Sequence, residues 1–286
     1  MLVATILLAT PVWSTAQTPG PSNVATIPPA GDSIDALPDT PSASDPAHSK
    51  SFGKDLGTAV KTIGEDELHI IKSPFSVSAL KWDALVLTST GILIANDESV
   101  AYQVSPSWHN TSTDISNAGV YGLGAVAGGV LVTGLITHDQ HATQAGIRSA
   151  EASVDSVILY AALKAVMARQ RPYSGPGEGR FFSGNWTNGS FPSGHAALAW
   201  TLASVMAHEY PNWPVRLLMY GVATAVSTTR VTGGEHFPAD VFAGSVLGFG
   251  VGTYVARKDR VKPPHSLNRV QRVQNAILSH VAIGAQ

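Results

Sequence analysis

Residues 193–231 read SGHAALAWTLASVMAHEYPNWPVRLLMYGVATAVSTTRV. Two apolar runs, 196–208 and 215–231, flank the turn-forming tetrapeptide Pro211-Asn212-Trp213-Pro214. Proline favours turns and disfavours helix interiors, so the stretch reads as an antiparallel helical hairpin. Its return leg brings Arg230 back to the level of His195. Outward from this hairpin lie four more apolar segments, 82–95, 118–137, 154–168 and 241–256, joined by Gly-, Pro-, Ser- and Asn-rich loops. Alternating strand patterns are scarce and no long repeat is present. The expected fold is all-α, a helical bundle whose chemistry is built from helix ends and connecting loops.

The 286 residues can bury one large domain or two small ones. Charged residues are 13% of the chain, about half the share usual in soluble domains, and the hydrophobic fraction is 44%. A net charge of -2 gives no pull toward nucleic acid, and the composition excludes a disordered chain or a coiled coil. Cysteine is absent, which excludes disulfides, thiolate nucleophiles and Cys-based metal sites. Mean hydropathy is +0.11, mildly apolar. Of the apolar segments only 115–137 is uncharged over the length of about 20 residues that a helical span needs. Short helices that are apolar all round also suit a buried core, so an exported soluble domain and an integral membrane protein both stay open.

Residues 1–16 resemble an export signal, with an apolar run at 2–13 and small residues at 14–16, although no Lys or Arg precedes the run. Residues 17–50 are rich in Pro, Ser, Ala, Asp and Thr and are expected to be a disordered linker. The folded domain is expected over 51–258, opening with an amphipathic stretch at 55–71, and 259–286 forms a C-terminal tail.

Three clusters carry chemistry. In the first, Lys164 and Arg171 are seven residues apart, which on a helix would put them on one face about 10 Å apart along the axis. Pro172 biases Arg171 out of the helix, toward the next loop. The second is Pro192-Ser193-Gly194-His195, ahead of an apolar run. Ser193 suits an N-cap, Gly194 admits close approach of a ligand, and His195 stands in the first turn beside a natural anion site. The third is Thr229-Arg230, His236 and Asp240, with Pro238 marking a helix start near Phe237. His236 and Asp240, four apart, can meet there; a carboxylate on one imidazole nitrogen leaves the other free as a nucleophile. Three cations around one point are costly unless they hold a polyanion, and two histidines divide naturally into nucleophile and general acid. Phosphate fits such a pocket.

In this order and spacing the three clusters resemble the signature of the type 2 phosphatidic acid phosphatase superfamily, over about Ser73 to Ala256. That group includes bacterial non-specific acid phosphatases, lipid phosphate phosphatases and vanadium haloperoxidases. One departure is Thr229, where the family usually has Ser. The resemblance implies a phosphatase domain over 51–258 that acts on phosphate monoesters, lipid or soluble, through phosphohistidine. His236 would be the nucleophile, Asp240 its orienting carboxylate, and His195 the acid and then the base. Lys164, Arg171, Ser193, the Gly194 amide and Arg230 would hold the phosphoryl oxygens. No metal or other cofactor is expected, with vanadate acting only as an inhibitor. A vanadium-dependent haloperoxidase, in which vanadate would be the cofactor, and an undecaprenyl-pyrophosphate-type pyrophosphatase are the alternatives on the same scaffold. The expected partner is a phosphorylated small molecule or lipid phosphate, with membrane contact possible, no nucleic acid and oligomeric state open. Location is expected to be periplasmic or secreted, or else integral to a membrane with the site on its outer side.

His138 and His141 read as a solvated helix end or loop rather than a metal site. A metal site from His195, His236 and Asp240 is opposed by the nearby cations. Residues 110–112, 185–187 and 188–190 have the pattern of glycosylation sequons and read as loop composition. The aromatic-bearing loop 173–191 is read equally as a border of the pocket or as an anchored connection.

Overall fold

A computed structural model describes residues 80–173, 178–183 and 188–258. The expected signal, linker, amphipathic stretch at 55–71 and C-terminal tail lie outside the described residues. Among those described there are six α-helices and no strand: α1 (Leu80–Ala101), α2 (His109–Thr137), α3 (Gln140–Met167), α4 (Gly194–Glu209), α5 (Trp213–Thr232) and α6 (Pro238–Lys258). A single 3-10 turn, Pro106–Trp108, precedes α2. The expected all-α architecture stands.

The α4–α5 hairpin forms as read, with Asn212 capping α5 through its side chain, which accepts from Val215 N at 3.1 Å. The His138 region is a helix junction. His138 ends α2 in the left-handed region, and the Asp139 carboxylate caps α3 by accepting from the amides of His141 and Ala142. Two expectations need correction. Helix α3 begins at Gln140, well before residue 154, because its first half buries small residues (Ala142, Thr143, Ala145, Gly146, Ser149, Ala152) that leave no bulky apolar stripe to read. Residues 110–112 are the first turn of α2 and not a loop.

Helix α4 is the hub, packing against α2, α3, α5 and α6. Its buried positions are mostly small, including Ala196, Ala197, Ala199, Ala203 and Ala207. Facing it on α6 are Gly244, Gly248 and Gly252, one per turn; a Cβ at any of them would collide with the carbonyl oxygens of Ser193, Ala197 and Thr201 respectively. Small residues at this spacing let two helix backbones touch. The close approach carries the first turn of α6 onto the start of α4, where Ser193 N donates to Asp240 O at 2.9 Å. On the other side of α4, Leu202 and Met206 pack with Leu123 of α2 and with Met219 and Val226 of α5.

The outer helices are differently clothed. Pro106–Thr137 and Pro238–Lys258 are long and apolar enough to cross a membrane. Only 17% of the most apolar window in the first of them is buried. Leu85, Leu87 and Ile92 of α1, with Tyr121, Val132 and Ile136 of α2, are exposed.

Candidate active site

The cradle is organised by three consecutive backbone carbonyls. Asn188 O accepts from Arg171 Nε at 3.2 Å, Gly189 O from Lys164 Nζ at 2.7 Å, and Ser190 O from His236 Nδ1 at 2.8 Å. The segment is itself pinned to the loop after α3, with Ser190 N donating to Arg169 O and Ser190 Oγ to Gln170 O. Residues read as loop composition in the sequence are therefore the comb that spaces two cations and a histidine.

The remaining site residues join this comb. Arg230, in the last turn of α5, donates from Nη1 to Ser116 Oγ at 3.1 Å. Arg230 and Arg171 share the Glu235 carboxylate, whose Oε2 lies 3.2 Å from Arg230 Nη2 and 2.9 Å from Arg171 Nη1. His195 sits in the first turn of α4, its Nε2 2.8 Å from Asn117 Oδ1. Ser193 and Gly194 open the same helix. The residues predicted from sequence, Lys164, Arg171, Ser193, Gly194, His195, Arg230, His236 and Asp240, thus meet in one place.

Three details differ from the sequence reading. Helix α3 stops at Met167, with Ala168 in the left-handed region, so Lys164 and Arg171 do not share a helix face, while Arg171 reaches the site from the loop as Pro172 implied. Ser193 stands at the N-cap position but makes no capping bond, and its buried Oγ has no hydrogen-bond partner. His236 Nδ1 and Asp240 Oδ2 are 3.7 Å apart, beyond a hydrogen bond, because the Nδ1 proton goes to Ser190 O. Asp240 instead accepts from Phe237 N at 2.9 Å and pairs with Arg169.

Because a carbonyl can only accept, Nδ1 of His236 carries the proton and Nε2 keeps its lone pair. Burial pushes the pKa of His236 down to about 4, against the opposing pull of Asp240 and with further lowering by Arg171 and Arg230. Burial thus favours the neutral imidazole over the physiological range, the form able to act as a nucleophile.

Sequence reasoning missed Glu235 and the 188–190 carbonyls, and also Arg169, Asp97, Ser116 and Asn117. Arg169 is buried, with Nη1 2.7 Å from Asp240 Oδ1, Nη2 2.8 Å from Asp97 Oδ2, and Phe181 and Phe237 rings beside its guanidinium. Asp97, from α1, also accepts from Ala239 N at 3.0 Å. Ser116 and Asn117 come from α2. Phe181 also packs edge-on against Phe191, which makes it an anchor of the loop after α3. Residues 184–187 of that loop lie outside the described residues.

The described residues form a helical protein whose cations and two histidines gather where helix ends and loops converge. Residues 150–262 match the family model of the PAP2 superfamily, the family whose signature the three clusters resemble. The chain is similar to the undecaprenyl-diphosphatase of Sulfolobus acidocaldarius, 33% identical over 41% of this chain and 56% of that protein. It is also similar to the lipid A 1-phosphatase of Rhizobium etli, 34% identical over 33% of this chain and 42% of that protein. The alignments span about half the length of these relatives. A transmembrane PAP2-type phosphatidylglycerolphosphate phosphatase from Bacillus subtilis is a structural neighbour at a TM-score of 0.45, with 18% identity over 71% of this chain and 96% of that chain. Ser116, Asn117 and Asp97 lie outside the matched segment.

Proposed function

We infer that this protein is a membrane-bound phosphatase that hydrolyses phosphate monoesters through a phosphohistidine. The observation that carries this reading is the set of unused donors in the cradle: the Ser193 hydroxyl and Arg230 Nε are buried without hydrogen-bond partners beside Lys164 and Arg171. Buried donors without partners are costly, and a phosphoryl group satisfies them.

In the first half-reaction His236 Nε2 attacks phosphorus, the N–P bond forms, and the bond to the leaving oxygen breaks. His195 gives that oxygen a proton. In the second half His195 takes a proton from water, the water oxygen bonds to phosphorus, and the N–P bond breaks to release inorganic phosphate. Lys164, Arg171, Arg230, Ser193 and the Gly194 amide hold the phosphoryl oxygens, so that catalysis is chiefly positioning and charge stabilisation. The hydrogen bond to Ser190 O holds His236 in the attacking tautomer. Asp240, 3.7 Å away, favours the imidazolium-like charge of the phosphohistidine.

The membrane part rests on α1 and α2. An uncovered apolar surface of this extent in water invites aggregation, and lipid covers it without penalty. A phosphate on a lipid is accordingly the favoured substrate class. Phosphate release from phosphatidate micelles and from p-nitrophenyl phosphate, side by side with His236→Ala as the blank, tests the reading. Release from phosphatidate with a silent His236→Ala is expected. Preference for the soluble ester overturns the lipid assignment, and a fully active His236→Ala overturns the nucleophile.

A further inference from the structure

Glu235 is an acid in a site built for an anion. The turn after α5 places it there: the amides of Glu235 and His236 both donate to Arg230 O at 3.2 Å, so the bend that presents the histidine also aims the preceding side chain at the cations. Its carboxylate does not make the parallel fork usual for an arginine pair. A single oxygen, Oε2, takes Arg171 Nη1 at 2.9 Å and Arg230 Nη2 at 3.2 Å, while Oε1 is 3.7 Å from His109 Nε2. One oxygen bridging two guanidinium groups is how a phosphoryl oxygen would sit between them. His109 is held in place by its Nδ1, which donates to Gly233 O at 2.7 Å. It gives the carboxylate a neighbour on the side away from the arginines.

Resting on the phosphatase reading, we propose that Glu235 is an internal competitor for the phosphate seat of Arg171 and Arg230. It neutralises the buried Arg230 and the half-buried Arg171 while the site is empty, yields when a phosphate enters, and returns to expel inorganic phosphate after the second half-reaction. A pocket with three cations would otherwise hold its product tightly. The competitor weakens substrate and product binding alike, which is tolerable where product release limits turnover. If the seat is open in on the order of one tenth of molecules, apparent phosphate affinity falls about tenfold.

The test is calorimetric binding of inorganic phosphate to the full chain, wild type against Glu235→Gln, which keeps the shape and removes the charge. Glu235→Asp, one methylene too short to bridge both arginines, is the second variant. Glu235→Gln is expected to bind phosphate about tenfold more tightly, with the product-inhibition constant and KM falling together, and Glu235→Asp to fall between it and wild type. If Glu235→Gln, or Glu235→Asp where the first does not fold, binds phosphate no more tightly than wild type, the carboxylate is only a brace for the arginines and the inference is overturned. Binding is read without turnover, so a wild type that binds phosphate but releases none from any ester overturns the phosphatase reading alone.

Discussion

His195 Nε2 lies 2.8 Å from Asn117 Oδ1, a hydrogen bond between the first turn of α4 and the third turn of α2. An amide oxygen only accepts, so Nε2 carries a proton and Nδ1 is the nitrogen that gains and loses one. Asn117 is therefore a positioning residue for His195, the general acid of the proposed mechanism.

Its removal has a specific signature. Asn117→Ala is expected to slow hydrolysis of alkyl phosphates, whose leaving oxygen needs a proton, by about 10²-fold. Hydrolysis of p-nitrophenyl phosphate, whose phenolate departs unprotonated, changes far less. Asn117→Asp retains an acceptor and restores much of the alkyl rate. Equal losses on both substrates would reduce Asn117 to a packing role.

Arg169, on the loop after α3, ties α1 to α6 beside His236. It binds Asp240 of α6 and Asp97 of α1 at once, and Asp97 also takes the Ala239 amide. Removing one partner of a buried ion pair costs about 3–5 kcal/mol, because the other charge stays buried. Asp97→Ala should lower the thermal midpoint strongly and reduce kcat as Asp240 shifts, although Asp97 touches no substrate. Asp97→Asn keeps an acceptor for Ala239 N and should fall between wild type and Ala. Unchanged melting in Asp97→Ala would mean the ion pair contributes nothing net.

What was legible in the sequence was local. The three clusters are short, and proline and glycine mark the turns that shape them, so the α4–α5 hairpin and the eight residues that the fold gathers in one place could be picked out directly. Asn117, Ser116, Arg169 and Asp97 could not, because their partners are 78, 114, 71 and 142 residues away. A lone Asn or Asp in an apolar helix carries no mark of what it will face. The 188–190 comb was hidden for another reason: it acts through carbonyls, which every residue has. Exposure of the α1 and α2 apolar faces likewise depends on which helix becomes the hub.

The hub itself is testable through the α6 glycines. A Cβ at Gly248 would run into the Ala197 carbonyl, whereas Gly250 has nothing within 4 Å. Gly248→Val should push α6 from α4, cost at least about 1–3 kcal/mol and lower activity by loosening the Ser193–Asp240 contact. Gly250→Ala should be neutral or stabilising, by up to about 1 kcal/mol of helix propensity. Thermal unfolding of the pair in detergent separates close packing from a general intolerance of side chains on α6.

Acid tolerance follows from His236. An unperturbed histidine titrates at about 6.5, and burial pushes this one down to about 4, so the neutral imidazole persists as the pH falls between them. The acid limb of kcat/KM, corrected for ionisation of the substrate, is expected near pH 4. The same shift has a stability consequence of definite sign. Between those two values the unfolded chain binds a proton at this position that the folded chain does not, so stability is full above about 6.5 and declines as the pH drops toward 4. His236→Gln removes one of two titrating groups and should reduce that slope without abolishing it, since burial and Arg230 also push the pKa of His195 down to about 4. An acid limb near 6.5 in wild type, with no difference between the two stability profiles, would show that the imidazole titrates as if it were in water.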